Sequence, residues 1–238
     1  MRSYHTIVYK DAKLRVACPL PDVVERELRR QRELLEEYIR RQPEFRSALV
    51  PVRLLEDAPD IARRMDAASR ATGVGPMAAV AGAMAEACAR SALAAGAFEA
   101  IVENGGDLYA SSPEPVVIGI YARDSKVSGR LAFEVPPEMM PLSLCSSSST
   151  MGHSLSFGDC DLATIAARDG ALADAAATLA CNSVRSAADF DGVLTTVSRV
   201  EGVLGVLLVK GDELAISGEL PPIVKADPRE TARKVTVL

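Results

Sequence analysis

A run of small residues at 77–95 constrains this chain more than any other feature. It reads Met-Ala-Ala-Val-Ala-Gly-Ala-Met-Ala-Glu and continues rich in alanine, so its pattern is helical but its side chains are short. Its small residues (Ala78, Ala79, Ala81, Gly82 and Ala85) permit close backbone approach to a sheet or a ligand. Gly75-Pro76 opens it, with proline in the first turn, where a missing N–H costs nothing. Glu86 and Arg90 interrupt the run and its residues are too small to be strongly lipophilic, so it reads as a buried helix rather than a membrane span.

The elements around it come in blocks. Residues 4–9 and 13–18 alternate apolar and polar about Asp11-Ala12, which predicts an opening hairpin. Residues 22–41 turn helical, with Val24, Leu28, Leu35 and Ile39 on one stripe, Leu34 and Tyr38 widening it, and Asp22 as N-cap. Arginines and glutamates alternate along this helix at spacings such as Glu25 and Arg29, so they read as a solvated face. A second helix is predicted over 60–71. After Gly96 the chain turns β-rich, with strands at 98–103, 107–111, 115–122, 129–135, 142–147 and 161–167. Helices follow at 171–181 and 190–199, then strands at 203–209, 213–217 and 222–225. Blocks rather than strict alternation predict an α+β fold, a single domain over 1–238 without internal repeat.

Charge and composition exclude several classes. The net charge is −5, which disfavours general nucleic-acid binding and anionic membranes. There is no Trp and only 4% aromatic residues, so stacking platforms for single strands are scarce. Five cysteines without a Cys-x-x-Cys pair indicate neither a disulfide framework nor a zinc site, and with no signal-peptide pattern a cytoplasmic setting is expected.

Three polar islands interrupt apolar surroundings between residues 75 and 182. In Glu103-Asn104-Gly105-Gly106-Asp107, Asn-Gly is a hairpin signal, and two glycines also let backbone approach a ligand. In Ser146-Ser147-Ser148-Ser149-Thr150-Met151-Gly152-His153, hydroxyls and backbone N–H groups can cradle phosphate, or form a plain polar loop. No Lys or Arg lies between Arg130 and Arg168, so a metal would have to supply the positive charge. Asp174 and Thr178, four apart in a helical run, share a face and offer two hard oxygens to Mg²⁺. Gly73-Val74-Gly75-Pro76-Met77-Ala78 has dinucleotide-fingerprint spacing but lacks the preceding strand that fingerprint needs.

Taken in order, the islands resemble the ApbE-like superfamily, whose best-known members are Mg²⁺-dependent flavin transferases that move FMN from FAD onto a Thr or Ser of a target protein. The resemblance covers residues 72–182. Glu103-Asn104-Gly105-Gly106-Asp107 looks like the family's Asn/Asp-x-Gly-Gly-Asp turn. Ser149-Thr150-Met151-Gly152-His153 falls where the family has Thr-Ser-Gly followed by His. Ala173-Asp174 through Thr178 looks like its Ala-Asp-x-x-x-Thr metal motif. The resemblance implies an ApbE-like (T-fold-like) architecture of mixed sheets covered by helices, in a short, cytoplasmic branch of the superfamily. It implies Asp174 and Thr178 as Mg²⁺ ligands, with His153 and Asp174 as the catalytic pair. FAD or FMN would lie against Asn104, Gly105, Gly106, Asp107, Ser148, Ser149, Thr150 and Gly152. An acceptor protein is the implied partner, and a homo-oligomer is left open. Two other readings stay open. One is a sulfur-assimilation accessory protein carrying a persulfide on Cys145, Cys160 or Cys181. The other is a non-catalytic scaffold, favoured by two departures: Ala79-Val80-Ala81-Gly82 has no lysine where the transferases carry Lys-Gly, and Ser154-Leu155-Ser156-Phe157-Gly158 lacks their proline.

Overall fold

The computed structural model describes residues 2–122, 125–149 and 158–226. Two strands, β1 (His5–Tyr9) and β2 (Ala12–Ala17), open the chain as an antiparallel hairpin. Four helices follow: α1 (Pro21–Arg41), α2 (Glu44–Ser47), α3 (Asp60–Thr72) and α4 (Val80–Ala94), the last entered through a 3-10 turn at Pro76–Ala79. Then come β3 (Ala100–Asn104), β4 (Asp107–Ser111), β5 (Val116–Gly119), β6 (Leu131–Val135), β7 (Leu142–Ser147) and β8 (Leu162–Ala167). Helices α5 (Gly170–Ser183) and α6 (Phe190–Ser198) precede β9 (Val203–Lys210), β10 (Glu213–Gly218) and β11 (Ile223–Lys225).

Among the described residues every strand pairing is antiparallel. Eight strands form one sheet in the order β1-β2-β3-β4-β7-β8-β9-β10, and β11-β6-β5 form a second. The α+β blocks expected from the sequence are therefore present, with helices on the larger sheet. One face of that sheet carries Leu14, Val16, Val102, Tyr109, Cys145 and Ile165 against the helices. The opposite face carries Ile101, Leu108, Leu142, Leu144 and Leu207, which pack with Val116 and Phe133 of the smaller sheet. With both faces covered, β8 is buried along its whole length.

Helix α1 buries Val24, Leu28, Leu35 and Tyr38 and leaves its charges outside, where Arg29 pairs with Glu25 and Arg30 with Glu27. Asp22 is not its N-cap. Pro21 occupies the first turn, where its fixed φ suits the helix, and the Leu20 carbonyl accepts from the Val23 and Val24 N–H groups. Asp22 thus stands inside the first turn, where its charge still complements the helix dipole.

The small residues of α4 do what their size allows. A methyl placed on Gly82 would sit 2.1 Å from the Gly170 carbonyl oxygen, and one on Gly170 would sit 2.5 Å from that of Gly82. Backbones α4 and α5 therefore touch at a crossing that only glycine permits at either position.

Candidate active site

The crossing of α4 and α5 lies over the helix-facing side of β3, β4 and β7, and three of the sequence candidates meet there. The Asn104-Gly105-Gly106-Asp107 turn is the β3–β4 hairpin, with Asn104 opposite Asp107 and both glycines at positive φ, 66° and 103°. Asn104 Nδ2 donates to the Ala81 carbonyl at 3.3 Å, tying the hairpin to α4. Asp174 extends from α5, and its Oδ2 accepts from the Gly82 N–H at 2.9 Å. Asp107 is buried, and its Oδ1 accepts from the Ser146 N–H at 3.3 Å.

The electrostatics are unusual. Burial pushes the Asp107 carboxyl well above the carboxylate range, and the nearby Asp174 charge pushes it further. Burial likewise raises Asp174 to about 7, against the pull of the Gly82 and Ala81 backbone. Among the described residues neither carboxylate has an ion pair with Lys or Arg. The Cys145 thiol donates to the Gly170 carbonyl oxygen at 3.6 Å and lies near Asp107. Its pKa too is raised, by burial and then by the two aspartates. A buried carboxylate with a second, partly buried one near it offers a place for a cation or a shared proton.

Three further side chains belong to this region. Thr178 is buried one turn beyond Asp174 on α5. Ser147 follows Cys145 by two on β7, hence on the same helix-facing side, and its buried hydroxyl has no hydrogen-bond partner among the described residues. A buried polar atom without a partner signals something polar that belongs beside it. Glu86, only 1% exposed, is held on α4 by Arg64 and by Arg90 at 2.5 Å, and accepts from the Gly170 N–H at 2.6 Å. By sequence, Glu86 and Arg90 appear only as interruptions of an apolar run, and Ser147 only as one member of the serine island. The sequence offered one clue to Glu86, namely an acid four residues after a glycine in an alanine run, a pattern repeated at Gly170 and Asp174.

The remaining candidates sit elsewhere. Ser149 ties the strand end to residue 160: its N–H donates to the Cys160 carbonyl, and its hydroxyl accepts from the Cys160 N–H at 3.0 Å. That hydroxyl also lies 3.3 Å from Cys181 Sγ, seven residues or about 10 Å along α5 from Asp174. Ser148 is buried at the same strand end. Thr150, Gly152 and His153 lie outside the described residues. Cys145, Cys160 and Cys181 are all fully buried. The Cys160 thiol is pushed up by its contact with Cys181 and by burial, so the accessible, ionisable thiol that a persulfide carrier needs is not found at these cysteines. A surface depression lined by Arg41, Gln42, Glu44 and Arg53 contains none of the candidate residues.

Among the described residues no group of three His, Cys, Asp or Glu side chains is arranged to hold a metal alone. The donor set at the crossing is instead carboxylates, a hydroxyl and backbone carbonyls. Such a set suits a hard cation that keeps water or ligand oxygens in its shell, and so fits Mg²⁺. Among the described residues no helix is long and apolar enough to cross a membrane.

The antiparallel sheets and the helices laid over them have the layers of an ApbE-like fold. Solved structures bear this out over nearly the whole chain. The flavinyl transferase ApbE of Pseudomonas stutzeri superposes with a TM-score of 0.55 at 13% identity, covering 100% of this chain and 98% of its own. A single-substitution mutant of the flavin transferase ApbE of Vibrio cholerae gives 0.57 at 10% identity, covering 97% and 99%. Residues 6–199 match the family described as AbpE bacteria, and the chain belongs to that family. Its relatives include a UPF0280 protein of Methanothrix thermoacetophila, 46% identical over 82% of each chain. The UPF0280 protein of Methanocaldococcus jannaschii is 39% identical over 83% of this chain and 82% of its own.

Proposed function

We propose that the chain binds a flavin nucleotide, FAD or FMN, together with Mg²⁺ at the α4–α5 crossing, and transfers FMN from FAD to a Thr or Ser hydroxyl of an acceptor protein, forming a phosphoester as the diphosphate bond of FAD breaks and AMP leaves. One observation carries the reading: the buried Asp107 and the partly buried Asp174 lie near enough for the Asp174 charge to raise the Asp107 carboxyl, and among the described residues neither has an ion pair with Lys or Arg. Two such acids are unfavourable in an empty fold and become favourable when a divalent ion joins them. Asp174 and Thr178 would hold Mg²⁺, with Asp107 beside them. When bound, the ion supplies the positive charge that nucleotide diphosphate oxygens require.

The chain's own residues have separable roles in this scheme. The Gly82 N–H orients Asp174, and Asn104 holds the hairpin against α4. Gly105 and Gly106 keep the hairpin free of side chains, and the unpartnered Ser147 hydroxyl offers a hydrogen bond to bound phosphate. His153, with Thr150 and Gly152, would complete the phosphate path and carry the proton of the acceptor hydroxyl. The flavin transferases of the same fold motivate this assignment.

The test is thermal unfolding with FAD, FMN or ADP, each with and without Mg²⁺. Ligand at a hundred times its Kd stabilises by about 2.7 kcal/mol. The increment is expected with FAD plus Mg²⁺ in the native chain and to be lost in Asp174→Ala. No increment with any of the three nucleotides would remove the reading and leave the non-catalytic scaffold in its place.

A further inference from the structure

The two helices that cross at the site carry the same short pattern. Residues 82–89 read Gly-Ala-Met-Ala-Glu-Ala-Cys-Ala, and residues 170–177 read Gly-Ala-Leu-Ala-Asp-Ala-Ala-Ala. Each places an acid one turn after a glycine. In space the two patterns run antiparallel and serve each other. The Gly82 N–H donates to Asp174 at 2.9 Å, while the Gly170 N–H donates to Glu86 at 2.6 Å. The would-be methyl of each glycine collides with the other's carbonyl oxygen. The crossing is a local two-fold arrangement of two glycine–acid rungs. Sequence reading found no repeat because the echo is too short to mark a repeated structural unit.

The rungs differ in their cations. Glu86 is matched by two guanidinium groups: Arg64, which reaches across from α3 and also holds Asp169 at 3.0 Å, and Arg90, one turn along α4. Arg90 further lies over the Tyr109 ring at 5.5 Å, two residues along β4 from Asp107. Asp169 in turn caps α5 by accepting from the Leu172 N–H at 2.9 Å. At the second rung Asp174 has no such partner among the described residues, and its charge bears on the nearby Asp107. One rung is thus internally neutralised and fixed to α3, α5 and β4, while its twin awaits a charge from outside.

We propose that Glu86, with Arg64 and Arg90, is a positioning unit for the cation site. It fixes the start of α5 through the Gly170 N–H, and so sets where Asp174, one turn later, presents its carboxylate. This inference rests on the reading of the Asp107–Asp174 pair as a cation site. Groups that act through a ligand in this way commonly change metal affinity about ten- to a hundredfold when altered.

Glu86→Gln keeps the side-chain shape and an oxygen for Gly170 but removes the charge that both arginines need. Arg90→Gln, at a half-exposed position, leaves the Gly170 bond and frees one Glu86 oxygen. Each variant and the native chain would be titrated with Mg²⁺ alone by calorimetry and unfolded thermally with and without the ion. The expected result is Mg²⁺ affinity about tenfold or more weaker in Glu86→Gln, a smaller loss in Arg90→Gln, and a reduced Mg²⁺ increment in unfolding midpoint for both. A residue that only supports the fold would lower both midpoints equally and leave affinity and increment unchanged, and that result overturns the proposal. If Glu86→Gln does not fold, native affinity in Arg90→Gln overturns it equally. Absence of Mg²⁺ binding to the native chain would sink the cation site itself, an outcome distinct from tight native binding that the variants fail to alter.

Discussion

Replacing Asp174 by asparagine should make the metal-free protein more stable while abolishing Mg²⁺ binding. The Asp174 carboxyl is raised from 3.8 to about 7. That is about three units at 1.36 kcal/mol each, so holding it ionised at pH 8 costs the folded state at most about 4 kcal/mol. Asparagine keeps an oxygen for the Gly82 N–H and removes the charge. Allowing for imperfect packing of the amide, the gain should be about 2–4 kcal/mol, or about 5–15 °C in a chain of this size. The sign fixes the pH window. The folded-state pKa lies above the unfolded one, so the native chain binds the extra proton and loses stability as pH rises from about 4 to about 7. Native and variant proteins should therefore unfold together near pH 4 and separate progressively towards pH 8. Guanidinium or thermal unfolding in a chelator, read by circular dichroism across that range, checks this. A variant no more stable than the native chain at pH 8, or a difference that does not depend on pH, would refute the claim that the pair stores unbalanced charge.

Because Asp174 must lose its proton to hold a cation, Mg²⁺ affinity should tighten roughly tenfold per pH unit below about 7 and level off above it. Calorimetry in buffers of different ionisation enthalpy would detect the released proton. Gly82→Ala should destabilise by about 1–3 kcal/mol, since the methyl's collision with Gly170 outweighs alanine's helix preference. Gly192→Ala, exposed on α6 with open space at its Cβ, should stabilise by about 0.5–1 kcal/mol by denaturant unfolding. Native protein should resist thiol labelling at Cys145, Cys160 and Cys181 until denatured, because all three are buried. Rapid labelling of any of them, followed by mass spectrometry, would reopen the persulfide reading.

Much of the fold could be read from local pattern because each element carries its own period. The alternation of Ile7, Leu14 and Val16 shows as strands, and the Val24–Leu28–Leu35 stripe shows as a helix, without knowledge of partners. Asp22 misled because acid before an apolar run is an N-cap signature, yet Pro21 had already set the helix start. The site was legible in part for the same reason: Asn-Gly marks a turn, and Asp174 and Thr178 share a face by spacing alone. What could not be read was which face meets which. That Asp107 confronts Asp174, that Gly82 touches Gly170 and that Ser147 is left without a partner are consequences of β4, β7, α4 and α5 meeting. No single segment encodes any of them. Glu86 showed only as an interruption of an apolar run, because Arg64 and the Gly170 N–H, which with Arg90 make its burial tolerable, come from separate helices.

The pairing of β2 with β3 has a kinetic implication. These neighbours in the sheet are separated along the chain by all of α1 to α4, so their union closes a very long loop. Such closures are slow, because chain entropy must be surrendered before any contact rewards it. Local hairpins such as β9–β10 can form early, whereas the helix junction that brings Gly82 to Asp174 needs both halves already gathered. During refolding, ion-binding competence should therefore emerge after most of the secondary structure, as one of the last properties the polypeptide acquires.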